Sequence, residues 1–196
     1  DDMSVGLLGG SFNPAHEGHV QITMSARRLL GLKRCWWLVS PQNPLKDPAG
    51  YEPFVKRVHQ ARALNQGRRW LSVTTIEASL PSLYTVDTLH FLRCRFPKTR
   101  FVWLMGADSW VSFHRWHRWR EIALLFPICV VSRPGYDMSA LTSVAARTFA
   151  DARRPTSSAS VLAGQKAPAW VFLPTVHNPI SATAIRAETE QAGNAL

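Results

Sequence analysis

Val5-Gly6-Leu7-Leu8-Gly9-Gly10-Ser11-Phe12-Asn13-Pro14-Ala15-His16-Glu17-Gly18-His19 is the stretch that decides how this chain folds. The apolar run 5–8, closed by two glycines, predicts a buried strand that enters a tight turn. Glycines after a strand let the backbone approach a ligand closely. A helix is predicted from about residue 18 to residue 30, stopping near Gly31. Its free N–H groups and positive dipole end favour a phosphate. His16 and His19 are three residues apart, which on a helical first turn puts both imidazoles on one face. Two imidazoles aimed at one phosphate can donate hydrogen bonds to charge that grows during phosphoryl transfer. The alternative is a pair of capping or surface histidines. Two histidines make a poor zinc site and no third ligand is near in sequence, so no metal site built from the protein is expected.

Outward from this turn, strands alternate with helices. Apolar runs at 35–39, 70–76, 101–105, 128–131 and 170–173 read as strands. Helical spacing is found at 54–64 and 86–96, and in two pieces over 109–126. A Pro-rich loop fills 41–53, residues 151–168 look like a surface loop, and a last helix is predicted over about 181–190. Long connections without short hairpin signals predict βαβ units: an α/β, doubly wound parallel sheet with helices on both faces. At 196 residues the chain suits a single domain, 1–196, whose part 170–196 carries the second motif described below.

Composition narrows the class. Hydrophobic residues make up 46%, enough for a sizeable core. No apolar run is long enough to cross a bilayer, and the acidic start at residues 1–6 does not read as a secretory signal. Cys35, Cys94 and Cys129 are far apart and read as free, mostly buried thiols, which suits a cytoplasmic location. The net charge of +10 suggests polyanionic partners. From Arg93 to Arg120 there are seven Lys or Arg residues against one acid, Asp108, with Glu121 just beyond. That belt can equally be the solvated face of an enzyme.

A second constellation is Ile180-Ser181-Ala182-Thr183-Ala184-Ile185-Arg186. Ser181 is a good N-cap, and a hydroxyl, free N–H groups and the Arg186 guanidinium could converge there on an anion. With both motifs in hand, the chain resembles the bacterial nicotinate-mononucleotide adenylyltransferases, within the superfamily of HxGH nucleotidyltransferases, and so a Rossmann-like fold. Further matches run in the family's order: Pro44-Leu45-Lys46, Leu83-Tyr84-Thr85, Met105-Gly106-Ala107-Asp108-Ser109, Phe113-His114-Arg115-Trp116 and Ser132-Arg133-Pro134-Gly135-Tyr136. Asn13 stands where Asp is common, and Ala182 where Ser is usual. The chain ends soon after the second motif, where the family has a further short helix.

The resemblance implies roles. His16, His19, Lys46 and Arg186 would be catalytic, contacting the phosphates of ATP. Gly9, Gly10, Ser11, Phe12, Gly106, Asp108, Arg133 and Ser181 would bind ATP, with Asp108 on the ribose hydroxyls. Thr85, Trp116, His117 and Asn43 would bind the mononucleotide, with Trp116 stacked on the pyridine ring. Mg²⁺ would arrive with ATP. Lys46 and Arg133 could instead be solvated charges, and Asp108 and Thr85 could be helix caps. His59, His90, His114 and His177 match no motif and read as structural or surface residues. The implied reaction joins AMP from ATP to nicotinate mononucleotide. Rivals are a sister enzyme using nicotinamide mononucleotide or phosphopantetheine, and a basic RNA-binding protein that has kept the fold. Against the last stands the His16, His19 and Arg186 set, which RNA binding alone would not need.

Overall fold

The computed structural model describes residues 3–42 and 50–174. Strands β1 (Met3–Gly10), β2 (Arg34–Val39), β3 (Leu71–Thr74), β4 (Thr99–Gly106), β5 (Ile128–Val131), β6 (Arg153–Arg154) and β7 (Trp170–Leu173) form one sheet. Its order is β3-β2-β1-β4-β5-β7-β6, and every pairing is parallel. Helices α1 (Glu17–Leu30), α2 (Phe54–Asn65), α3 (Thr85–Arg95), α4 (Ala107–Ser112), α5 (Trp119–Leu125), α6 (Asp137–Leu141) and α7 (Val144–Thr148) connect and follow the strands.

A parallel sheet covered on both faces needs strands that are apolar on both sides. Residues alternate accordingly. Val5, Leu7, Trp103, Met105 and Val130 point into one core, with side chains of α3, α4 and α5. Leu8, Trp37, Val39, Leu104 and Val131 point into the other, with side chains of α1 and α2. The chain winds outward in both directions from β1 and β4, which are neighbours. That is the switch point at whose carboxyl edge open α/β sheets bind ligands.

Residues 151–168 depart from the expected surface loop. They contain the edge strand β6 and a 3-10 run, Thr156–Gly164, that buries Ala159 and Leu162 against the second core. Cys35 and Cys129 are buried and Cys94 is exposed, all three free.

Candidate active site

The turn after β1 is built from inside. A Cβ on Gly9 would lie 2.5 Å from Cη2 of Trp103, so glycine here makes room for an indole. Phe12 takes a left-handed backbone, φ 47°, uncommon for a bulky residue. Its buried ring stacks on Trp37 at 5.1 Å and meets the His19 ring at 4.6 Å. The Phe12 side chain forms the floor under His19. The Trp37 indole N–H donates to the Thr23 hydroxyl at 2.8 Å, and that hydroxyl donates to the His19 carbonyl at 2.7 Å. Asn13 shapes the turn: its amide donates to the Gly50 carbonyl at 3.1 Å and accepts from the Glu52 N–H at 3.0 Å.

The two expected readings of His16 and His19 merge. His16 is the N-cap of α1, and its Nδ1 accepts from the Gly18 N–H at 3.1 Å. The Nδ1 of His19 accepts in return from the His16 N–H at 3.2 Å. This is a capping box with imidazoles in place of the usual side chains. An Nδ1 that accepts cannot carry a proton, so each ring is the neutral tautomer with its hydrogen on Nε2. The ring centroids are 3.9 Å apart. Capping thus leaves the hydrogen of each ring on Nε2, in two imidazoles that lie side by side. Burial first, and the nearby Arg133 charge second, push the His16 pKa down to about 4, against a smaller upward pull from Asp108. The ring stays neutral at physiological pH.

Asp108 and Arg133 act on His16 because the ends of β4 and β5 converge beside the turn. Asp108 sits in the first turn of α4, whose N-cap is Gly106, so Asp108 is not the cap. Its carboxylate lies 3.6 Å from Arg133 Nε. Both side chains fill the space where a Gly106 Cβ would stand. Gly106 therefore admits this ion pair. Asp137 holds the β5 end: its carboxylate accepts from the Ser132 hydroxyl at 2.7 Å and the Arg133 N–H at 3.1 Å.

Across the sheet edge, Thr85 is the first residue of α3 and Tyr84 its N-cap, so Thr85 does not cap. Tyr84 stacks on His117 at 4.1 Å, bringing Thr85, Trp116 and His117 together. Trp116 and Trp119, three residues apart, do not share a helix. Trp116 is extended after the 3-10 turn Phe113–Arg115, and Arg118 is left-handed at φ 52°. Trp119 is buried in the core while Trp116 is half-buried. Arg118 makes two hydrogen bonds of 2.8 Å to Glu121 and lies 3.6 Å from Asp87 of α3, which fixes the turn.

Asn43, Lys46, Ser181, Arg186 and His177 lie outside the described residues. His59 is exposed, His90 pairs with Glu121 at 2.5 Å and His114 contacts the Val111 carbonyl. The basic belt is not continuous. Arg93, Arg95, Lys98 and Arg100 lie at the amino edge of β4, whereas Arg115, Arg118 and Arg120 follow its carboxyl edge. Sequence reading missed three residues that support the site: Trp37, Arg57 and Glu77. None belongs to a motif; for Trp37 the only signal was its place in the apolar run 35–39, and for Arg57 and Glu77 a charge on a helical segment or just after a strand.

Glu77 is buried on the 3-10 turn Ile76–Ser79, near the Ser40 and Thr88 hydroxyls. Burial pushes its carboxyl from 4.5 up to about 7, the hydroxyls opposing. The folded state therefore holds this proton more tightly. Its contribution to stability is complete below pH 4.5 and is lost as pH rises to about 7. His16 has the opposite sign: its contribution is complete above pH 6.5 and is lost as pH falls to about 4. Between 4.5 and 6.5 the two slopes, each about 1.4 kcal/mol per pH unit, offset each other. The stability difference between Glu77→Gln and the parent should change by about 1.4 kcal/mol for each pH unit between pH 4.5 and 7, in urea unfolding at fixed pH values. A difference independent of pH would show that Glu77 does not titrate in this range.

A family model described as cytidylyltransferase-like matches residues 7–188. A relative from Methylorubrum extorquens, named probable nicotinate-nucleotide adenylyltransferase, is 50% identical over 94% of this chain and 99% of its own length. One of the same name from Caulobacter is 49% identical over 94% of this chain and 97% of its own. Among solved structures, the Plasmodium falciparum nicotinic acid mononucleotide adenylyltransferase complexed with NaAD superposes with a TM-score of 0.72 at 15% identity. It covers 94% of this chain and 83% of that one, a likeness of fold.

Proposed function

The chain belongs to the cytidylyltransferase-like family, among the nicotinate-nucleotide adenylyltransferases, and we propose on that premise how its residues divide the two substrates. The enzyme joins AMP from ATP to nicotinate mononucleotide and yields deamido-NAD and pyrophosphate. The observation that carries our reading is the reciprocal capping of His16 and His19, which fixes two imidazoles side by side at a helix N-terminus with their hydrogens on Nε2. Neutral donors suit phosphate oxygens, and they need no proton transfer.

An oxygen of the mononucleotide phosphate attacks the α-phosphorus of ATP in line. The bond from that phosphorus to the bridging oxygen breaks, and pyrophosphate leaves with the electron pair. In our reading His16 and His19 donate to the oxygens that gain charge. Arg133 adds positive charge beside them, and Asp108 accepts from the ribose hydroxyls while holding Arg133. Lys46, Ser181 and Arg186 complete the phosphate contacts, as their motifs imply. Among the described residues no three His, Cys, Asp or Glu side chains form a metal cage, and Asp108 faces Arg133. Mg²⁺ would arrive on ATP with most of its waters and would supply positive charge to the leaving pyrophosphate. We read residues 1–196 as one nucleotidyltransferase domain. Among the described residues no helix is long and apolar enough to cross a membrane, and free buried thiols suit a cytoplasmic setting.

On the acceptor side, Thr85, Trp116 and His117, with Asn43, form the clamp for the pyridine. Backbone N–H donors there bond a carboxylate more strongly than an amide. Pyrophosphate release from ATP should accordingly show a higher kcat/KM with nicotinate mononucleotide than with nicotinamide mononucleotide, by roughly tenfold or more. Equal values would remove the clamp as the source of selectivity. Release with phosphopantetheine alone would overturn the choice of acceptor, and tight salt-resistant RNA binding without any release would overturn the enzyme reading itself.

A further inference from the structure

The guanidinium of Arg57, on α2, is 1% exposed, and such a charge is costly to bury unless its N–H groups find acceptors. Nε donates to the Glu52 carbonyl at 3.0 Å, Nη1 to the Ser40 carbonyl at 2.8 Å and to that of Ser11, and Nη2 to the Pro41 carbonyl at 2.7 Å. The rings of Tyr51 and Phe54 lie 5.3 and 5.4 Å from its Cζ. These carbonyls belong to three separate stretches: the turn after β1, the chain leaving β2, and the chain entering α2. A planar fork of donors can bind all three, and a lysine ammonium cannot. Ser11 leads directly into Phe12, whose ring lies against His19. Stabilising α2 alone would not need a charge, because an apolar side chain of similar length packs at lower cost.

We propose that Arg57 is a positioning residue for the ATP half of the site: by holding the Ser11 carbonyl against the ends of β2 and α2 it sets the place of Phe12 and, through it, of the His19 donor. This rests on the adenylyltransferase reading of the turn. Displacing a positioned group by about 1 Å can cost roughly 10²-fold, so a partial loss of the fork should cost less.

The test compares the parent chain with Arg57→Lys and Arg57→Gln. Each is titrated calorimetrically with α,β-methylene ATP, whose bridging carbon blocks cleavage, and assayed for pyrophosphate release. Circular dichroism and urea unfolding measure folding. Arg57→Lys should bind the analogue roughly 10-fold more weakly, while KM for nicotinate mononucleotide stays within about twofold. A lower urea midpoint with unchanged analogue affinity in the folded protein means a structural role only and overturns the proposal. So does an equal rise of both substrate constants. Should Arg57→Gln fail to fold, Arg57→Lys decides alone. A parent chain that binds the analogue but does not use the mononucleotide overturns the acceptor reading, and the affinity ratio still decides on Arg57. A parent chain that neither binds nor turns over overturns both.

Discussion

His19→Ala and His19→Asn should lose turnover together, by roughly 10²- to 10³-fold in kcat, the usual loss for a donor aimed at developing charge. The pair of variants is needed because His19 has two jobs. Its Nδ1 caps the His16 N–H at 3.2 Å, and its Nε2–H is free of that task. The residue is half-buried, with its ring on Phe12. His19→Ala removes both functions and should also cost about 1 kcal/mol of stability from the lost cap. Asn places an acceptor near Nδ1 and nothing at Nε2, so His19→Asn should keep most of that stability. If catalysis depends on Nε2–H, both variants are slow and only the alanine one is less stable in urea. Recovery of turnover in His19→Asn to near the parent value would make His19 a cap alone and end its role as a phosphate donor.

The fold was readable because both faces of the sheet are covered. Val5-Gly6-Leu7-Leu8 and Ile128-Cys129-Val130-Val131 are apolar on both sides, and such runs flanked by helices have few other solutions. The His16–His19 pair was readable because a helix N-terminus puts fixed spacing on one face. What escaped depends on tertiary contacts. Arg118 in a left-handed conformation separates Trp116 from Trp119, and nothing local favours that in a non-glycine residue. Gly9 and Gly106 were legible as places of close approach, but a missing side chain does not say of what: a Cβ there would meet Trp103 and the Asp108–Arg133 pair. Arg57 bonds carbonyls from 5 to 46 residues away in sequence, which no motif encodes.

Trp116→Ala should raise KM for the mononucleotide by roughly 5- to 150-fold and leave kcat nearly unchanged. Stacking an aromatic ring on a base contributes roughly 1–3 kcal/mol, and about 1.4 kcal/mol is a decade. A contact made equally in ground and transition states appears in KM alone. The surroundings of Trp116 suit a platform. Its ring meets Trp103 at 6.3 Å and Phe113 at 5.5 Å, with the ring planes nearly perpendicular in each pair. These two buried neighbours brace it, while partial exposure leaves surface for a ligand. Trp119, by contrast, is buried against Phe113 and Phe149 and has no such surface. The bracing also means that alanine costs some packing, so Trp116→Phe serves as the control. It keeps a flat ring between the same neighbours and should restore most of the mononucleotide KM. KM for ATP should move little in either variant, because the phosphate turn lies on the other side of Trp103, over Gly9. An alanine variant that simply unfolds would make Trp116 a core residue. A rise in KM for ATP with the mononucleotide unaffected would mean that the two substrates lie the other way round.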